Sequence, residues 1–78
     1  MRTDNLMTAD QQDLVVLGYL RSYFAGTADQ TQSTSIAART TLQLDAVERS
    51  LERLHRAGAI EAVIGERSGA PTPVTAVR

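Results

Sequence analysis

The stretch from Ser35 to Ile60 constrains this chain most. Ala37 sits about one turn before a short break around Thr40-Thr41, and an apolar residue, Leu42, caps that break. Val47, Leu51 and Leu54 then recur at i, i+4 and i+7, and Gly58 closes the run. Residues at that spacing share one face of an α-helix, so the pattern describes two short helices crossing over a tight turn.

The chain of 78 residues has room for one domain. A core of this size is thin, because a chain near this length buries only roughly 60% of its unfolded surface. Cysteine is absent, which excludes disulfides and thiolate metal sites. Stability must come from packing or from self-association. No apolar run approaches the roughly 18 residues of a membrane span. The start, Met1-Arg2-Thr3-Asp4-Asn5, is polar and has no apolar signal core behind it, so a cytoplasmic protein is expected. All eight basic residues are arginine, against nine acids, for a net charge of −1. Phosphate neutralisation dominates nucleic-acid affinity, so any such site here has to be local.

Residues 1–7 read as a disordered leader, with one domain over 8–78. Thr8 with Gln11 three positions on fits a capping box. Asp10 and Asp13 are read into the first turn, where the helix dipole favours acids. A helix over 9–25 follows, ended by Gly26. Its apolar residues, from Val15, Val16 and Leu17 through Tyr19 and Leu20 to Tyr23 and Phe24, cover an arc of about 200°, where a core-facing stripe needs about 100°. One reading wraps this helix with two others and a strand. The other places the flank of Val15, Tyr19 and Tyr23 against a second copy, since isologous dimers are the commonest assembly; a homodimer is expected on that ground.

A second helix is expected over 34–41, with Ser33 or Thr34 as N-cap, Ile36 pointing to the core and Ala37 where two helices cross. A third is expected over 44–57, buried through Val47, Leu51 and Leu54. Asp45 with Arg49 and Glu52 with Arg56 have the favourable acid-first i, i+4 spacing. Gly58 is a natural left-handed C-cap. The period then changes. Ile60 to Ile64 is β-prone, Arg67-Ser68-Gly69-Ala70-Pro71 is a turn cluster, and Pro73 to Val77 returns as a strand. Pro71 and Pro73 cannot donate ladder hydrogen bonds, which predicts an edge strand.

The run from Ile36-Ala37 through Leu54 to Ala57-Gly58-Ala59-Ile60, with three helices before a hairpin, resembles the winged-helix family over residues 8–77. The resemblance implies an α+β fold, a helix-turn-helix core with a C-terminal β-hairpin wing, and a short strand at Thr31-Gln32-Ser33. It also implies a small transcriptional regulator that places its third helix in the major groove of double-stranded DNA. Two positions depart from the family pattern. Thr41 stands where many members have glycine for a left-handed turn, so either the turn differs or Thr41 belongs to the helix end. Gln43 stands where a good N-cap is expected.

On the same resemblance, the outward positions of the third helix are Gln43, Leu44, Asp45, Glu48, Arg49, Glu52 and Arg53. Gln43 would pair with adenine, and Arg49 or Arg53 would reach guanine or phosphate. Arg39 is the expected phosphate contact of the second helix, and Arg67 the wing residue for the minor groove. Asp45, Glu48 and Glu52 work against this, since a carboxylate about 4 Å from a phosphate costs on the order of 1–4 kcal/mol. The alternative is a winged-helix module that binds a protein partner and has little DNA affinity.

Other chemistries find no support in the residues. His55 stands alone, without a cysteine or a carboxylate cluster to complete a metal site. There is no nucleophile elbow and no glycine-rich phosphate loop. Two tyrosines and one phenylalanine make no single-strand stacking platform. Neither an enzyme nor a cofactor is expected.

Overall fold

The first helix, α1 (Ala9–Gly26), starts on the expected capping box. The Thr8 hydroxyl accepts from the Gln11 N–H at 3.2 Å, and the Gln11 side chain accepts from the Thr8 N–H at 3.0 Å. The computed structural model describes residues 8–64 and 71–78; the expected leader over 1–7, and Arg67 with most of its expected turn cluster, lie outside the described residues. Only Asp10 lies in the first turn of α1. Asp13 is a turn further on and has a different role. Val16 and Leu20 are fully buried, and Leu17, Tyr19 and Phe24 pack around them, while Val15 remains exposed. Most of the wide apolar arc is thus covered within the chain, by the elements that follow.

A two-residue strand, β1 (Thr31–Gln32), leads into α2 (Ser33–Thr40) and then α3 (Leu44–Arg56). The second helix starts one residue earlier than its sequence predicts, and Ser33 is not its cap. Gln32 occupies the N-cap position without a side-chain hydrogen bond. Ser33 is fully buried and is shared among three elements. Its N–H donates to the Thr72 carbonyl at 2.9 Å, its hydroxyl oxygen accepts from the Thr72 N–H at 2.9 Å, and its hydroxyl donates to the Glu48 carboxylate at 3.1 Å.

The turn between α2 and α3 keeps the left-handed shape. Thr41 has φ 60° and ψ 16° and follows the helix instead of extending it. A β-branched residue there is strained, because Cβ crowds the carbonyl; the cost is about 1–2 kcal/mol. The surrounding packing holds it in place: Ile36 on one side of the turn and Leu42 on the other are both buried.

Val47, Leu51 and Leu54 form the buried stripe of α3, widened by Ala46 and Ser50. Burying each large side chain contributes about 1.5–3 kcal/mol. The helix ends in a Schellman motif. Gly58, at φ 78°, donates its N–H to the His55 carbonyl at 3.0 Å, and the Ala59 N–H donates to the Leu54 carbonyl at 2.9 Å. The reversal delivers Ile60 into the core as the start of β2 (Ile60–Ala62).

The sheet is antiparallel, ordered β1-β3-β2, with β3 spanning Pro73–Val77. This corrects the expected edge placement of the last strand, which lies in the middle. Pro73 is tolerated because it is the first residue of β3 and sits opposite chain that has already left the β2 ladder at Ala62. Its carbonyl is used, accepting from the Val63 N–H at 3.0 Å. Thr31 pairs with Val74, and Ile60 with Val77. Between Glu61–Ala76 and Ala62–Val74 the register slips by one residue, leaving Thr75 as a bulge whose hydroxyl donates to the Glu61 carbonyl at 3.2 Å.

Three helices and a three-stranded antiparallel sheet in this order make an α+β, winged-helix-like arrangement. Among the described residues no helix is long and apolar enough to cross a membrane.

Candidate nucleic-acid interface

The outer face of α3 is the surface that the resemblance assigns to DNA. Gln43, Leu44, Asp45, Arg49, Glu52, His55 and Arg56 are all exposed along it. Its charges are paired within the helix. Arg49 meets Asp45 at 3.5 Å and Arg56 meets Glu52 at 3.0 Å, both at i, i+4. The face is therefore close to neutral. Exposed pairs of this kind are worth only about 0–1 kcal/mol, so both guanidiniums can exchange a carboxylate for a phosphate at little cost. Glu48 does not join this face; it is half-buried and turned toward Ser33.

Arg53 is committed elsewhere. Its Nε and NH2 groups fork onto the Asp13 carboxylate of α1 at 2.8–3.2 Å. The Ser50 hydroxyl donates to the same carboxylate. The two side chains keep 35% and 20% of their surface, so the cluster is sheltered rather than sealed. The Arg53 pKa is raised above its ordinary value, chiefly because Asp13 accepts these hydrogen bonds; desolvation by burial opposes the rise, and the charges of Asp13 and Asp10 add to it. The pair joins α1 to α3 across 40 positions. Local spacing gives no sign of it, and Asp13 reads in sequence as a helix-dipole acid.

Arg39 belongs to another surface. It lines a groove of about 280 Å³ with Tyr19 and Tyr23 of α1, Gln30, the β1 residues Thr31 and Gln32, and Ser35. None of these residues is on α3. The tyrosine rings lie side by side, with centroids 6.0 Å apart and planes at 26°, and the Tyr23 hydroxyl donates to the Gln30 carbonyl at 3.2 Å. Tyr23 also meets Phe24 edge-on at 5.0 Å.

The six residues expected at DNA thus separate. Gln43, Leu44 and Arg49 share the open end of α3, Arg53 turns to α1, Arg39 faces the tyrosine groove, and Arg67 is outside the described residues. The expected dimer flank separates too. Tyr19 and Tyr23 are half-buried along the groove, while Val15 is exposed and does not line it. Leu14, which the periodicity did not single out, is the most exposed large apolar residue described, at 69%. The chain matches no family model, no curated protein and no solved structure, and its likeness to the winged helix is carried by element order and sheet topology.

Proposed function

We propose that this chain is a small cytoplasmic DNA-binding regulator that reads duplex DNA with the first turns of α3. The observation that supports this reading is the placement of Gln43, Leu44 and Arg49. All three are exposed where α3 leaves the left-handed turn at Thr41, so the helix can enter a groove end-first. Gln43 supplies an amide for adenine, Leu44 an apolar contact for a thymine methyl, and Arg49 a fork for guanine or phosphate. A reader of this size gains affinity by doubling. The exposed Leu14 and Val15, flanking Gly18 on the outer side of α1, are the surface assigned to a second copy.

The test is a titration of random duplex DNA at low and moderate salt. With two or three arginines released from surface pairs, the logarithm of affinity should fall with the logarithm of salt at a slope of about −2 to −3. Gln43→Ala and Arg49→Ala should each weaken binding. Absence of duplex affinity at the lowest salt would remove this reading.

A second reading follows from the charge pairing. Each arginine of α3 has a carboxylate partner within the chain, which suits a winged-helix module that docks a protein on a near-neutral face. That module would show no salt-dependent duplex binding at all.

A further inference from the structure

The groove between α1 and the start of α2 has a lining with an evident ligand chemistry. Gln32, Ser35 and Arg39 project along one side of α2 at helical spacing, and the Tyr19–Tyr23 pair forms the opposite wall. None of the lining residues is acidic. Among the described residues no carboxylate pairs with Arg39, in contrast to Arg49, Arg53, Arg56 and Arg78, which all have one. The Tyr23 hydroxyl is spent on the Gln30 carbonyl, whereas the Tyr19 hydroxyl forms no hydrogen bond to a described residue. A guanidinium and a phenol with unspent hydrogen-bonding capacity thus stand beside aromatic rings, in a space that is small by the standard of ligand pockets of about 300–1,000 Å³.

We propose that this groove is a binding site for a small planar aromatic anion: one ring laid against Tyr19 and Tyr23, with its carboxylate on Arg39 and Ser35. Arg39 meets a carboxylate in a forked, charge-assisted geometry. The tyrosine rings favour offset or edge-on aromatic contact, so a flat ring is preferred over a branched chain of equal size. The volume of about 280 Å³ admits one ring with a short polar arm. The site does not depend on the duplex-DNA reading, because none of its residues belongs to the open face of α3. It bridges α1 and α2, so an occupant would tie the helix assigned to self-association to the helix-turn-helix.

The probe is benzoate, titrated into the isotope-labelled full chain and followed by amide NMR shifts. Benzyl alcohol keeps the ring without the charge, and inorganic phosphate keeps a charge without the ring. Benzoate should bind with a dissociation constant on the order of 1 mM, as suits a ligand of so few atoms. The shifts should map to Tyr19, Tyr23, Gln32, Ser35 and Arg39. Both control probes should bind at least about tenfold more weakly. Arg39→Gln, at an exposed position that leaves the fold intact by circular dichroism, should weaken benzoate about tenfold or more, and Arg39→Lys should restore part of the loss. Arg21→Gln, the same charge change elsewhere on the surface, should leave binding unchanged. Equal affinity in the Arg39→Gln variant, equal binding of benzyl alcohol or phosphate, or shifts clustered away from the groove would each overturn the site.

Discussion

Arg53 of α3 forks onto Asp13 of α1, and Ser50 donates to the same carboxylate from one turn earlier on α3. Two helices that meet through apolar side chains are thereby fixed in register by one polar cluster. Removing either member strands the other. Asp13→Ala and Arg53→Ala should each cost about 1–2 kcal/mol of stability, as the cluster is partly shielded and charge-assisted. The contribution is discounted for the third of the Arg53 surface that water still reaches. Urea unfolding of the two single variants and the double variant measures it; a coupling energy of zero would show that the fork is ornamental. The Arg53 pKa is raised in the folded state, so its contribution is fully present below the ordinary guanidinium range and lost only as strongly alkaline pH passes the raised value. Arg53 should therefore add no pH dependence to folding between about pH 5 and 9.

Arg49 and Arg53 should behave differently toward duplex DNA. Arg49→Ala should weaken binding and make the salt slope shallower by about one unit, with stability changed by less than about 0.5 kcal/mol. Arg53→Ala should lower stability and leave the affinity of the folded fraction nearly unchanged. The reverse pattern, read from parallel melts and titrations, would mean that Arg53 leaves Asp13 to contact DNA.

The strain at Thr41 can be relieved. Glycine adopts φ 60° without a Cβ clash, but it also loses more chain entropy on folding. The balance should leave Thr41→Gly more stable by about 0.5–1 kcal/mol. A lower denaturation midpoint for that variant would show that the Thr41 side chain contributes more than its backbone geometry costs.

Gly18 lies in the middle of α1 with open space where a Cβ would go. Gly18→Ala should stabilise the isolated chain by about 0.5–1 kcal/mol through helix propensity alone. Leu14→Glu with Val15→Glu should leave the melting curve nearly unaltered while abolishing any dimer seen by analytical ultracentrifugation. Retention of the dimer in that double variant would move the self-association surface elsewhere.

The helices were legible because their signals are local. Thr8 and Gln11 mark the start of α1, Val47, Leu51 and Leu54 the buried stripe of α3, and Gly58 its end. The central position of β3 was not, since Pro73 forbids a donor at one point only and says nothing about which side of the strand lacks a neighbour. Asp13 and Ser33 were also opaque. Their partners lie 15 to 40 positions away, and a single polar residue in a helix reads as surface until the fold brings its partner to it. The outward set on α3 was legible as a helical face; Arg53 left it because its edge borders α1, and Glu48 because its edge borders Ser33.

The buried hydroxyl of Ser33 acts as a rivet through three plates: the leading end of α2, the strand stem at Thr72, and the flank of α3 at Glu48. Replacing it with alanine should cost about 1–3 kcal/mol, because it leaves a sheltered N–H and a carboxylate without partners; hydrogen exchange at the Thr72 amide would register the loss directly. While the rivet holds, the chain entering β3 and the flank of α3 have little play between them. A change that loosens any one of the three plates should therefore be felt at the other two.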